Sequence, residues 1–290
     1  MTTPDAPDSG ALTTHTGTDA IEPEQAPSPP PLPPLPRLDR YHAVTPWSPW
    51  GGLGATVLIA VLVVAFLVAV GGIAVAIYPD VVDRAAAPLV KLRIEQPTIA
   101  YAFAATMLAS QLLGVTLTLL FARGYGGRIS QTLALRPPIA GPVAYAWAIP
   151  AFVVFGFGLG AVVQLLWPQS NHADTQPMMQ LARSPSAWLI FVVAVVGAPL
   201  QEELAFRGFL FSALAQSRRL GFAGAAVITS IGWASIHGYS ITGDATIFCL
   251  GLFLSFILWR SGSTRVTMAC HGTYNALAFL AAMLTTGSAS

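Results

Sequence analysis

The chain has 290 residues, of which 54% are hydrophobic and only 9% charged, with a formal net charge of +1. A soluble domain carries about a quarter charged residues to solvate its surface, so much of this chain must lie against lipid. The near-neutral balance provides no basic stripe, and nucleic acid is not an expected partner. Cys249 and Cys270 both sit in apolar runs and read as small buried hydrophobes rather than a disulfide framework or a C-x-x-C site.

Residues 1–46 form a separate block. The run Pro27–Arg37 reads PSPPPLPPLPR, which cannot bury enough apolar area to offset ordering entropy. It is expected to be disordered, with polyproline II character. Its P-x-x-P spacing suits an SH3-like partner; a solvated tail is the plainer reading. The first apolar run begins only near Leu53, without a basic start before it, so no signal peptide is expected.

A helix needs about 20 apolar residues to cross a bilayer. Runs near 53–77, 98–122, 142–166, 187–215, 221–239, 244–260 and 266–285 meet or approach that length, with breakers such as Pro79, Pro137–Pro138, Pro168 and Gly243 between them. The expected fold class is therefore all-α: a polytopic transmembrane helix bundle of about seven spans, with six to eight compatible with the pattern. The loop 80–97 suits an interfacial amphipathic helix. With a cytoplasmic N-terminus, nine loop arginines (Arg37, Arg40, Arg123, Arg128, Arg136, Arg218, Arg219, Arg260 and Arg265) lie inside. Four cations (Arg84, Lys91, Arg93 and Arg183) lie outside. That asymmetry favours a multi-pass plasma-membrane protein with its N-terminus inside.

The fourth run, WLIFVVAVVGAPLQEELAFRGFLFSAL, contains Glu202, Glu203 and Arg207. An ionised side chain at mid-bilayer costs about 2.5–3.5 kcal/mol on insertion scales, so these groups require a protein-lined or watery site. Glu203 and Arg207 are spaced i, i+4 in the favourable acid-before-base order and can pair. Glu202 lies about 100° further round the helix, has no such partner, and suits a general base. A purely stabilising ion pair would account for Glu203 and Arg207 but not for Glu202.

Two further apolar runs carry His237 and the i, i+4 pair His271 and Asn275. A single helical histidine is more often a satisfied core residue than a ligand. Here one carboxylate, two imidazoles and an amide can converge to activate water and stabilise an oxyanion. The same donors suit zinc or another divalent metal held by Glu202, His237 and His271. Counting residues along the helices places Glu202 and His237 at matching depths, about 24 Å from their helix ends. His271 lies only about 9 Å from Arg265, which calls for a recessed 261–265 loop, a tilted last helix or a shortened fourth one.

These residues resemble the CPBP family, the CAAX-protease and bacteriocin-processing (Abi) intramembrane peptidases. The first motif, E-E-x-x-x-R, matches Glu202–Arg207, and the third, H-x-x-x-N, matches His271–Asn275. The second, F-x-x-x-H, reads Trp233-Ala234-Ser235-Ile236-His237, with Trp in place of Phe but still a bulky ring one turn before the histidine. Leu133–Pro137 also looks like the L-G-L-R segment of bacterial members. Hydropathy assigns 47–183 to N-terminal transmembrane helices, and the resemblance, which covers about residues 185–285, implies a catalytic core over 184–286. It implies Glu202 as the base that activates water, with His237 holding that water or a metal. His271 and Asn275 would stabilise the oxyanion, or His271 would complete a metal site, while Glu203, Arg207 and Trp233 would support the site. Both a metalloenzyme and a metal-free glutamate mechanism are compatible with it. The substrate would be a membrane-associated or lipidated, CAAX-like peptide entering from the bilayer or the cytosolic side. A proton-coupled transporter and a non-catalytic immunity or scaffold protein are the rival readings.

Overall fold

A computed structural model describes residues 41, 45–79, 82–83, 91–92, 94–124, 126 and 128–287. The Pro-rich tail and its SH3-like docking fall outside those residues, as does most of the loop 80–97. Within that loop, Val82–Asp83 (β1) pairs antiparallel with Lys91–Leu92 (β2) where an interfacial helix was expected; β-branched Val82 favours extended backbone.

Each expected span coincides with a helix. α1 is Pro49–Ile77, α2 Pro97–Gly124 and α4 Val143–Leu166, with a single turn, α3 (Ile129–Thr132), before α4. The fourth run, Ala187–Ala215, is α6 (Ala187–Val192), α7 (Ala198–Glu202) and α8 (Phe211–Ala215) joined by two π-helical stretches, Val193–Gly197 and Glu203–Leu210. α9 (Gly221–Ser235), α10 (Ile241–Ser261) and α11 (Thr264–Gly287) complete the bundle.

Five of these helices are long and apolar enough to cross a membrane: α1, α2, α4, Ala187–Ala215 and α10. α9 has 15 residues and so a length of about 22 Å, short of a hydrocarbon core of about 30 Å. α11 is long but carries Thr264, Thr267, His271, Thr273 and Asn275, because it faces the interior. The apolar side chains of Val57, Val61, Val64, Val68 and Ile73 on α1 are exposed. A contiguous apolar face of this kind is what lipid would cover.

One helix was not expected. Pro168 reads as a breaker but occupies the first turn of α5 (Pro168–Ala182), where its missing N–H costs nothing and its fixed φ suits helix entry. α5 is polar, and it packs against α4, α6, α10 and α11.

The strap before α4 ties one end of the bundle together. Thr264 donates its N–H to Ala134 O (3.0 Å) and its hydroxyl to Leu133 O (2.7 Å), while the Ser263 hydroxyl reaches Arg136 O (2.6 Å). Ile139 N–H reaches Ser261 O (2.9 Å) and Arg136 Nε reaches Gly262 O (3.0 Å). Residues Ser261, Ser263 and Thr264 are consequently buried, so α11 begins recessed inside the bundle. That recess accounts for the shallow depth computed for His271. The strap end also receives Tyr41, which composition assigned to the tail. Its N–H binds Trp259 O (3.1 Å) and its hydroxyl pairs with Ser212 Oγ (2.5 Å). Burial pushes this phenol up to about 12, so it remains a neutral hydrogen-bonding group at ordinary pH.

Thr264→Val keeps the side-chain shape but leaves the Leu133 carbonyl without that donor. An unsatisfied buried polar group costs about 1–3 kcal/mol. A lower thermal midpoint in detergent is the expected result, and an unchanged midpoint would show that the strap is not a structural tie.

Candidate active site

The fourth run is where sequence and backbone interact most closely. Pro199 has no N–H, so the carbonyls one turn before it lose their helical donor. The helix widens instead: Ala198 N–H bonds Val193 O, five residues back, in the first π stretch. The next carbonyl in that register, Ala194 O, would need the missing Pro199 N–H. It is taken by Asn275 Nδ2 of α11 at 2.8 Å. π segments inside α-helices are uncommon and concentrate at functional sites. α11 approaches closely here because Gly272 has no side chain; a Cβ there would lie 2.8 Å from Val195 O.

The second π stretch carries Glu203 and Arg207, both with no exposed side-chain surface. Arg207 donates to Glu203 Oε1 at 3.0 Å, as the i, i+4 spacing requires. The same oxygen lies 3.1 Å from His271 Nδ1. Arg207 also reaches Gly251 O (3.4 Å), and its guanidinium carbon stands 4.3 Å over the Trp233 ring. A buried carboxylate between two cationic or donor partners is the arrangement that offsets its desolvation.

Trp233, at the end of α9, meets Glu202, Arg207, His237 and His271. Its indole Nε1 donates to Glu202 Oε2 at 2.6 Å. The ring meets His237 edge-on at 5.2 Å and His271 at 5.4 Å. The substitution of Trp for Phe in the second motif therefore has a consequence that bulk alone did not reveal, since a phenyl ring has no N–H to offer the carboxylate.

His237 lies beyond the helix rather than within the expected span 221–239. α9 stops at Ser235, and Gly238 adopts φ +66°, the left-handed conformation that ends helices at low cost for glycine. His237 N–H turns to Ala234 O, so Trp233 O loses its usual backbone donor, and His237 Nδ1 reaches that oxygen at 2.7 Å. A carbonyl only accepts, so Nδ1 carries the proton and Nε2 holds the lone pair. The same logic gives His271 a proton on Nδ1 facing the Glu203 carboxylate.

Glu202, Trp233, His237, His271 and Asn275 all line one cavity of about 350 Å³. Glu202 is half-buried and, unlike Glu203, makes no ion pair with Arg207. α5 closes a wall that sequence reading missed, through Asn171, Asp174, Thr175 and Met178. Asp174 holds α5 down by accepting from Ser240 N (2.8 Å) and the Ser240 hydroxyl (2.6 Å), next to the start of α10. The available signal was a polar, Pro-initiated segment between two apolar runs. Tyr239 and Tyr274 add further polar edges.

Glu202, His237 and His271 are the residues that would hold a metal. Among the described residues no three His, Cys, Asp or Glu side chains converge as a metal ion requires. The Nδ1 atoms of both histidines are committed, to a backbone carbonyl and to Glu203, which leaves Nε2 as the ring position open to a ligand. The set does not fit a ready three-ligand site in this conformation, and no step below passes through a metal.

Residues 184–277 match the family model described as Rce1-like, type II CAAX prenyl endopeptidase. The matched stretch contains all three motifs. Comparison with curated proteins and with solved structures found no match.

Removing Arg207 leaves Glu203 buried without its guanidinium partner. Breaking a buried pair in this way costs about 3–5 kcal/mol. Arg207→Met is expected to lower the thermal midpoint sharply, whereas Glu202→Gln, whose partner is an indole N–H that an amide oxygen still accepts, leaves it close to wild type. Equal losses in the two variants would contradict the separate environments of the two glutamates.

Proposed function

We propose, from the premise that residues 184–277 belong to the Rce1-like family of type II CAAX prenyl endopeptidases, that this multi-pass membrane protein is an intramembrane endopeptidase. It hydrolyses peptide bonds of membrane-associated or lipidated, CAAX-like peptides through water activated by Glu202. One observation carries this reading. Glu202 lines the cavity beside both histidines, makes no ion pair with Arg207, and accepts the Trp233 indole N–H at its Oε2.

In this mechanism Glu202 takes a proton from a water whose other hydrogen points to His237 Nε2. The water oxygen attacks the scissile carbonyl. His271, held through Nδ1 by Glu203, lines the cavity, and an N–H on its Nε2 would donate to the tetrahedral oxyanion. The second N–H of the Asn275 amide is a further donor, because the first is committed to Ala194 O. Collapse breaks the C–N bond, and the proton held by Glu202 passes to the leaving amine. Glu203 and Arg207 remain outside the chemistry and hold His271 and Trp233 in position.

General base catalysis is worth about 10²–10⁴-fold. Glu202→Gln, reconstituted in liposomes, is expected to lose at least that factor in kcat while inserting and melting normally. In cells, comparative membrane proteomics of wild type and Glu202→Gln should show a precursor accumulating in the variant. Full proteolysis by the variant would refute the assignment. Trp233→Phe retains the ring and removes the indole N–H. A hydrogen bond to a charged group is worth about 1.5–3 kcal/mol, so kcat should fall by roughly 10- to 100-fold, and no change would mean that the indole does not position Glu202.

A further inference from the structure

The cavity lies at one end of the bundle, and most of the described loop arginines lie at the other. Its walls come from the C-terminal part of α4, from α5, from the end of α9 with His237 and Tyr239, and from the first turns of α10 at Gly243 and Thr246. α5 and the start of α10 are tied together there by Asp174 and Ser240. α10 then runs 21 residues, about 30 Å, to Arg260. At that far end the strap binds the α10–α11 turn through Arg136 and Gly262, and Arg265 reaches Leu135 O. Phe222, beside Arg218 and Arg219 in sequence, packs on Trp259 there. The separation between the two ends matches the thickness of a hydrocarbon core.

Short loops rich in arginine stay on the cytoplasmic side. Among the described residues, seven loop arginines flank the strap end, whereas Arg183 directly follows α5; the sequence count of nine against four runs the same way. The strap is then cytoplasmic and α5 is not. We propose that the cavity is entered from the extracytoplasmic side, so that its substrates are peptides already carried across the membrane and held at that face by their own lipid or transmembrane anchor. This rests on the peptidase reading for the word substrate, and it reverses the cytosolic entry that family resemblance suggested. The orientation itself rests only on the placement of the cavity and the arginines.

Cysteine labelling in intact cells tests the orientation without any need for proteolysis. Thr175 is exposed on α5 and lines the cavity, whereas Arg219 is exposed at the opposite end. The native Cys270 is buried and Cys249 half-buried within helices, so the unmodified chain serves as the blank. A membrane-impermeant maleimide should label Thr175→Cys in intact cells and Arg219→Cys only after permeabilisation. Gln176→Cys, on the same exposed helix, replaces Thr175→Cys if that variant fails to insert. Labelling of Arg219→Cys in intact cells, or of the α5 cysteine only after permeabilisation, would overturn the proposal. Because the readout is chemical access, it stands or falls separately from the loss of activity expected in Glu202→Gln.

Discussion

The site depends on one buried carboxylate. Glu203 has no exposed surface, and its Oε1 receives both Arg207 and His271. An uncompensated charge in this setting would not persist, so the three side chains must come together or the fourth run could not remain in the bundle. That requirement brings α11 to the second π stretch and fixes the facing edge of His271. It also holds the guanidinium over Trp233, which in turn holds Glu202. The acid that pairs and the acid that does not are adjacent in sequence, yet the helix turn between them places one in the ion-pair network and the other at the cavity wall.

A second constraint is local and arises from a residue that lacks a donor. Pro199 deprives the preceding turn of an N–H, and the helix answers with a π stretch and a carbonyl that Asn275 satisfies. His237 and Trp233 O repeat the device at the end of α9, where an imidazole N–H replaces a lost backbone one. In both places a backbone irregularity costs little because a side chain from the site satisfies it. The irregularity and the chemistry are therefore built from the same atoms.

α5 shows how the bundle encloses a watery site without a long loop. Its polar composition kept it from being read as a span, and Asp174 anchors it across the start of α10. The strap clamps the opposite end of the bundle, and one wall of the cavity is this short helix.

Sequence alone determined the helical class, the run boundaries within a few residues, and the pairing of Glu203 with Arg207, because hydropathy and i, i+4 geometry are local. It also singled out Glu202, His237, His271 and Asn275 as polar groups in apolar surroundings that needed an explanation. Tertiary structure decided what local rules cannot express. It placed His237 outside its helix, because Gly238 ends α9 about one turn earlier than hydropathy extends. It spent one Asn275 N–H on Ala194, because Pro199 had removed the local donor, and it gave the Trp233 indole to Glu202 across a sequence separation of 31 residues. The depth of His271 was resolved in the same way, by a strap from residues 133–139 that draws the start of α11 inward, a contact between segments too distant in sequence for any periodicity to record.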